Sequence, residues 1–163
     1  MQTGNSAMAD TQGLTFNKHT LSIKIFSVSD VNIVYAGSPH RLSAGKLMRA
    51  KTAADEKRFP GFGSGTYITF AGPVDIAWKS QDGTDHSYAL DLDEVFKDRK
   101  VLHTEDETRF YKPEPVYGSA PTIIIELDDR TLNVYMFATI RLEKDEMTRE
   151  HKDHYTLAYT KKF

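Results

Sequence analysis

The residues of this chain best suited to acid–base or metal chemistry are six histidines, of which only His151 and His154 lie close together in the sequence. On a helix, this spacing would place both rings near one face, where a neighbouring carboxylate would complete a metal site. The surrounding stretch 143–153 is almost entirely charged and directly precedes a strand pattern. We therefore predict that both histidines are solvated and that the chain binds no metal ion.

Carboxylates are the other candidates for chemistry, and they occur in three short clusters: Asp91–Glu94, Glu105–Glu107 and Asp128–Asp129. Two carboxylates act as acid and base only when their surroundings separate their pKa values. Neighbouring acids in polar stretches seldom meet this condition, so the pattern favours solvated turns. The sequence also contains no calcium-binding loop of the form D-x-[DN]-x-[DN]-G.

Motifs for phosphate binding and for nucleophilic catalysis are not found either. The glycine-rich stretch 59–66 precedes a strand rather than a helix and has no Lys-Ser/Thr pair. Ser64 lies in G-S-G rather than in G-x-S-x-G. The chain has no Cys, which excludes disulfides and thiolate metal sites. The sequence therefore predicts neither a catalytic residue nor a cofactor. We expect that the protein is not an enzyme.

One segment has the composition of a protein interface. Arg109–Tyr117 combines Arg, Phe and Tyr with Pro, and exposed side chains of the first three types anchor protein–protein contacts. The acidic run directly before it adds negative charge that attracts a basic partner. The predicted partner-binding residues are Glu105, Asp106, Glu107, Phe110 and Tyr111.

Charge is unevenly distributed along the chain, although the formal net charge is only −2. Residues 14–60 carry eight basic and three acidic side chains, whereas residues 61–130 carry seven basic and fourteen acidic ones. The near-neutral total argues against nucleic acid as a partner. Without a run of about 18 apolar residues, no membrane-spanning helix is expected. The asymmetry reflects either loose pairing between the two halves or an acidic patch that steers a basic protein.

Most segments alternate apolar and polar residues with period two, the pattern of β-strands. Two such segments, Val74–Trp78 and His86–Leu92, flank the turn signal Gln81-Asp82-Gly83. A two-residue loop would point their apolar faces in opposite directions. We therefore predict a three-residue loop with Gly83 in a left-handed conformation. The resulting pairs are Trp78 with His86, Ile76 with Tyr88, and Val74 with Leu90.

A second hairpin is predicted where Thr122–Leu127 and Thr131–Leu142 flank a loop at Asp129-Arg130. This loop pairs Leu127 with Leu132, which keeps both apolar faces on the same side of the sheet. Further strands are predicted around Leu21–Val28, Val31–Tyr35, Thr66–Phe70 and Tyr155–Tyr159.

These strands predict a mainly β fold, an antiparallel β-sandwich or partly open barrel of seven or eight strands with one or two short helices. Leu92–Arg99 is the predicted helix, with Asp93 as its cap. Stretch 44–57 is either helix or connection, and stretch 143–153 is a long hairpin loop or a short exposed helix. The predicted core comprises Ile23, Ile25, Val74, Ile76, Trp78, Tyr88, Leu90, Ile123, Ile125, Leu132, Val134, Met136, Ile140 and Leu157.

The first 13 residues are small and polar, which predicts a disordered tail or a cloning remnant, and residues 14–163 are predicted to form a single β-rich domain. No signal peptide precedes the folded part, so two locations stay open. We expect the periplasm, with a secretion signal and possible lipid-carrying Cys removed. The alternative is the cytoplasm.

The stretch Pro73–Leu92 resembles one found in families of small bacterial lipoproteins, where a strand ending in Trp is followed by a Ser/Asp-Gly turn and a second strand. A strand similar to Leu21–Val28 and a glycine-rich segment similar to Gly61–Gly65 also recur there. Some of these proteins are periplasmic immunity proteins that neutralise phospholipase or cell-wall effectors of type VI secretion. One such family has a Cys pair near the glycine-rich segment, which this chain lacks.

Three functions follow as hypotheses. The first is a protein-binding module, specifically an immunity protein that blocks the active site of a secreted bacterial toxin. The alternative is a carrier of small apolar ligands, with a pocket between the sheets lined by Tyr135 or Phe137. The third, an enzyme, requires histidines and carboxylates that converge in one cleft.

Overall fold

The structure, a computed structural model, describes residues 13–56, 58–59 and 65–163. This part of the chain forms nine strands: β1 (Lys18–Phe26), β2 (Val28–Tyr35), β3 (Ser38–Leu42), β4 (Thr66–Ile68), β5 (Val74–Ser80), β6 (Asp85–Leu90), β7 (Thr122–Asp128), β8 (Thr131–Glu143) and β9 (Arg149–Lys162). It also forms one short helix, α1 (Leu92–Val95), and 3-10 turns at Ala53–Asp55, Glu107–Arg109 and Tyr117–Ser119. The predicted tail, apart from Gly13, and most of the glycine-rich stretch lie outside the described residues.

The strands form two sheets that face each other across one apolar core. The larger sheet has the order β4-β1-β7-β8-β9 and the smaller one the order β3-β2-β5-β6. Ile33, Ile76 and Trp78 of the smaller sheet belong to the same buried cluster as Ile125 and Val134 of the larger sheet. The predicted mainly β sandwich is confirmed. Neighbouring strands are antiparallel except β1 and β7, which are parallel.

The hairpin between β5 and β6 has the predicted register. Trp78 pairs with His86, Ile76 with Tyr88, and Val74 with Leu90. Gly83 has a φ of 83°, and its amide donates to the Ser80 carbonyl at 2.9 Å. The three-residue loop therefore points the apolar face of β5 into the core.

Replacing Gly83 tests this turn. We expect Gly83→Ala to lower the free energy of unfolding by about 1 kcal/mol, because a Cβ strains left-handed backbone. Gly83→Asn is the matched control and should cost less, since Asn tolerates this conformation. Urea denaturation measures both variants, and equal losses would argue against the proposed origin of the strain.

The predicted hairpin between β7 and β8 is also confirmed, with Leu127 paired to Leu132 and Ile125 to Val134. The carbonyl of Asp129, in the loop, accepts a hydrogen bond from the indole nitrogen of Trp78 at 2.8 Å. Because Trp78 belongs to the other sheet, this contact ties the two sheets together at one end of the sandwich.

The C-terminal strand differs from the prediction in its length and in its phase. Stretch 143–153, predicted as a loop or short helix, lies mostly in the extended β8–β9 hairpin. The register between these strands shifts at Val134 and Tyr135, which leaves Ala158 as the extra residue of a bulge. Leu157, predicted in the core, consequently lies outside it and is 49% exposed. The other predicted core residues are buried or packed partly buried against the core.

The predicted helix is present but shorter than expected. The helix α1 ends at Val95 rather than Arg99, and Asp91 caps it in place of Asp93. The Asp91 carboxylate accepts a hydrogen bond from the Asp93 amide at 3.0 Å.

No helix in the described part is long and apolar enough to cross a membrane.

The connection after β3 crosses the outer face of the larger sheet. We call residues 46–59 of this connection the strap; Lys57 within it lies outside the described residues. The Ser27 amide donates to the Arg49 carbonyl at 3.1 Å. The Phe59 ring stacks on Phe137 of β8, with centroids 4.3 Å apart. The strap therefore covers side chains on the sheet face that points away from the core.

Candidate functional site

The three predicted acidic residues lie on the connection between α1 and β7, close to β9. Glu105 Oε2 lies 2.7 Å from His154 Nε2, and Glu107 Oε2 lies 3.4 Å from His103 Nε2. Asp106 caps the following 3-10 turn, where its carboxylate accepts a backbone amide at 3.0 Å. We call Glu105–Glu107 the acidic turn. Local hydrogen bonds and histidine contacts hold its carboxylates in place.

The two predicted aromatic residues point in opposite directions, as neighbours in extended backbone do. Phe110 pairs with Leu142 at an isolated bridge, is only 8% exposed and belongs to the core. The expectation of an exposed Phe110 ring is therefore wrong. Tyr111 is half-buried on the outer face, where the guanidinium groups of Arg149 and Arg141 lie 4.1 and 4.7 Å from the centre of its ring.

Tyr111 belongs to a surface cluster that we call the tyrosine–arginine patch: Tyr111, Tyr117, Arg141, Arg149 and His151. Tyr117 is 61% exposed and packs edge-on against His151, with centroids 5.6 Å apart. Arg141 pairs with Glu114 at 2.6 Å. Because guanidinium groups and rings stack on one another, the patch presents its side chains in fixed positions.

A groove runs between the acidic turn and the edge of β9. It consists of two cavities of about 450 and 380 Å³ that share Lys100, Leu102 and Thr156. His103, Glu105 and Glu107 line the first cavity, and Val95, Phe96 and Ala158 line the second. We call this the β9 groove. It has a polar end with carboxylates and a more apolar end beside α1.

The only two histidines close in the sequence point to opposite faces of β9. His151 contacts Tyr117 in the patch, whereas His154 contacts Glu105 beside the groove. They therefore cannot share a ligand. Across residues 13–56, 58–59 and 65–163, no group of three or more His, Asp or Glu side chains is placed to hold a metal ion.

Sequence reasoning missed a buried ionic cluster beneath the strap. Glu126 is fully buried, and Lys24 is 8% exposed. Glu126 Oε2 lies 3.6 Å from Lys24 Nζ, and Glu126 Oε1 lies 3.1 Å from Lys51 Nζ. Lys24 also donates to the Tyr155 hydroxyl at 2.9 Å and to the Asp55 carbonyl at 2.7 Å. Burial lowers the pKa of Lys24 and raises the pKa of Tyr155.

The side chain of Asp55 stabilises the strap from within. Its carboxylate accepts two hydrogen bonds from Arg49 at 2.7 and 2.8 Å, and the Thr52 amide donates at 2.9 Å. These hydrogen bonds hold the pKa of Asp55 well below its usual range. Since the Asp55 carbonyl also accepts a hydrogen bond from Lys24, Asp55 both orders the strap and joins it to the sheet. The sequence did contain one signal for the buried ionic cluster, because Glu126 interrupts a run of apolar residues in β7.

The pocket expected for a ligand carrier does not lie where the sequence placed it. Tyr135 and Phe137 lie on the outer face of the larger sheet, not between the sheets. Tyr135 packs on Tyr155 and Phe137 on Phe59, with centroids 4.8 and 4.3 Å apart. A trough of about 490 Å³ lies instead on the outer face of the smaller sheet, lined mainly by Asn32, Val34, Asp75, Ala77, Ser87, Tyr88 and Ala89.

The geometry defines a two-sheet β-sandwich with a groove along one sheet edge. No protein-family model, no curated protein and no solved structure matches the chain. Function is therefore inferred from the surfaces described above.

Proposed function

We propose that this protein is a protein-binding module that contacts its partner through the acidic turn, the β9 groove and the tyrosine–arginine patch. The observation that supports this proposal is the contact of the Tyr111 ring with two guanidinium groups, those of Arg149 and Arg141. Tyr and Arg are enriched at the energetic centres of protein interfaces. A ring already fixed by its neighbours loses little conformational entropy on binding. The nearby carboxylates attract a basic partner.

The finer proposal is a periplasmic immunity protein that neutralises a secreted bacterial toxin by blocking its active site. The resemblance of Pro73–Leu92 to lipoprotein families that include immunity proteins supports it. Such a protein needs no reactive group of its own, because inhibition requires only that its surface cover the toxin's catalytic cleft. A lipid anchor on a removed leader would place it at the membrane; a cytoplasmic location is the alternative.

Affinity capture with the full chain, followed by binding measurements with the purified partner, tests the proposal. We expect Tyr111→Ala to weaken binding about 30-fold, the effect of losing an interface residue worth about 2 kcal/mol. Glu107→Lys should also weaken it, through charge reversal on the acidic turn. Ile68→Thr is the control, because Ile68 is 80% exposed on β4, at the opposite edge of the larger sheet. A partner that responds only to Ile68 would refute the assigned surface.

The immunity hypothesis has its own test once a partner is known. Co-expression of the wild-type chain should protect cells from the partner's toxicity, and Tyr111→Ala should reduce that protection. A partner that retains full enzymatic activity in the complex would rule out active-site blockage while leaving protein binding intact.

The carrier alternative rests on the trough of the smaller sheet. Asn32 is one of its lining residues, and the buried side-chain oxygen of Asn32 has no hydrogen-bond partner among the described residues. A carrier that binds there should retain a small molecule after purification. Native mass spectrometry of the folded chain distinguishes the two functions, because a protein-binding module needs no such molecule.

A further inference from the structure

The free edge of β9 is suited to binding another strand. We propose that residues 155–160 bind an extended segment of the partner protein, which joins the larger sheet as a sixth strand and places its side chains in the β9 groove. This inference rests on the proposed protein-binding function and specifies the segment that the partner presents. Main-chain hydrogen bonds supply affinity in this mode of recognition, and pockets for alternate side chains supply specificity.

The length of β9 distinguishes it from the other sheet edges. Natural proteins protect edge strands by keeping them short, and the outermost strands β4, β3 and β6 have three, five and six residues. β9 has 14 residues and pairs along one side only, with β8. Among the described residues, no backbone hydrogen bond joins β9 to a segment other than β8. Within residues 13–56, 58–59 and 65–163, the amides and carbonyls that point away from β8 therefore have no backbone partner.

The charges on β9 protect its ends and leave its centre open. Charged residues discourage pairing at sheet edges. They occupy the first part of the strand (Arg149, Glu150, Lys152 and Asp153) and its last two positions (Lys161 and Lys162). Tyr155–Thr160 between them contains no charge and no Pro, and Leu157 is 49% exposed. These six residues have the composition of a segment that accepts a further strand.

The β9 groove lies beside this central part. Thr156 lines both of its cavities, and Leu157 and Ala158 line the one that also contains Val95 and Phe96. An added strand would point every second side chain into these cavities, because side chains alternate along a strand. Apolar side chains of the partner would therefore fit beside Phe96.

The groove also specifies the charges of the segment. Its end near His154 carries Glu105 and Glu107, whereas its end near Ala158 carries Lys97; Lys100 lines both cavities. Asp98 and Arg99 also line that second end, and Arg99 pairs with Asp93. Antiparallel pairing is the commoner arrangement. An antiparallel segment would accordingly place an acidic residue near Lys97 and a basic residue about four positions later, near Glu105.

A phage-displayed library of random linear peptides, selected on the full chain, tests this inference. We expect enrichment of peptides with alternating apolar residues and with the acidic residue N-terminal to the basic one. On binding of a synthetic selected peptide, amide exchange should slow within residues 155–160. Leu157→Lys should weaken binding at least about tenfold, since it places a charge at the centre of the edge. Met147→Lys, at the exposed hairpin tip, should leave binding unchanged.

Several outcomes would overturn the inference. Selected peptides that leave exchange at residues 155–160 unchanged, or that tolerate Leu157→Lys, would exclude pairing at this edge. Edge amides that are already slow in the free chain would show that this chain, or a second copy of it, occupies the edge. A protein partner that binds without slowing these amides would refute strand addition but not protein binding. If the chain yields neither a partner nor enriched peptides, both proposals fail.

Discussion

Replacing Lys24 by Met is expected to lower the free energy of unfolding by about 3 kcal/mol, because it removes one of the two ammonium groups that compensate the buried charge of Glu126. Glu126 would keep Lys51 and Asn133, both of which donate to Oε1. Its Oε2, which has no hydrogen bond, would lose the ammonium group 3.6 Å away. Urea denaturation, followed by the fluorescence of the single Trp, measures the loss.

A double-mutant cycle separates the ion pair from the packing around it. Lys24→Met combined with Glu126→Met removes both charges, and such apolar replacements of buried pairs are often neutral or stabilising. The double variant should therefore be more stable than Lys24→Met alone. Lys79→Met is the matched control: Lys79 pairs with Asp85 on the surface, and exposed pairs contribute little. Additive losses at Lys24 and Glu126 would show that the two charges do not stabilise each other.

The registers of both hairpins were predictable because side chains alternate between the two faces of a sheet, so that the loop length decides which apolar residues share a face. Trp78 and Leu90 share an apolar face only with a three-residue loop, and Leu127 and Leu132 share one only with their short loop. The same rule failed at Leu157, since a bulge at Ala158 changes which side of the sheet each residue faces. A bulge depends on how two strands fit each other, which the pattern of one strand does not reveal.

The ionic cluster was hidden because its cover comes from a distant part of the sequence. Lys24 occupies a polar position of an alternating strand, which predicts exposure to solvent. The strap brings Lys51 and Asp55 over that position from more than 25 residues away. Sequence periodicity reports which face of a strand a residue occupies, but not whether another segment covers that face. The unusual Glu126 was the sole indication in β7 itself.

The sequence predicted only part of the candidate site, and the rest was hidden for a similar reason. The acidic turn was recognisable from composition, and the structure places its residues at the rim of a groove. Phe110 and Tyr111 were indistinguishable in the sequence, because a short irregular segment has no periodicity to assign their faces. The free edge of β9 was equally invisible, since it depends on strand order in the sheet. Surfaces assembled from several strands require the topology.

The buried His19 gives the protein a second large, testable property, a dependence of stability on pH. His19 is fully buried; its Nε2 lies 3.1 Å from the Tyr35 hydroxyl and its Nδ1 lies 2.9 Å from Thr69 Oγ1. The Tyr35 hydroxyl accepts the Ala71 amide, so its own hydrogen is available to Nε2. Nδ1 then donates to Thr69, and a neutral ring satisfies all of these contacts. Burial lowers the pKa of His19 to about 4.

Because this pKa lies below the unfolded value of about 6.5, the unfolded chain binds the proton first as the pH falls. The stabilisation is complete above pH 6.5 and is lost towards pH 4. Its full loss amounts to about 3 kcal/mol of unfolding free energy. His19→Gln, which has no titrating ring, should be less stable at pH 7.5 and should lack this contribution. The stability difference between wild type and variant, measured by urea denaturation across this range, should therefore shrink by about 3 kcal/mol. A constant difference would show that His19 binds its proton equally well in the folded and unfolded chains, and would refute the lowered pKa.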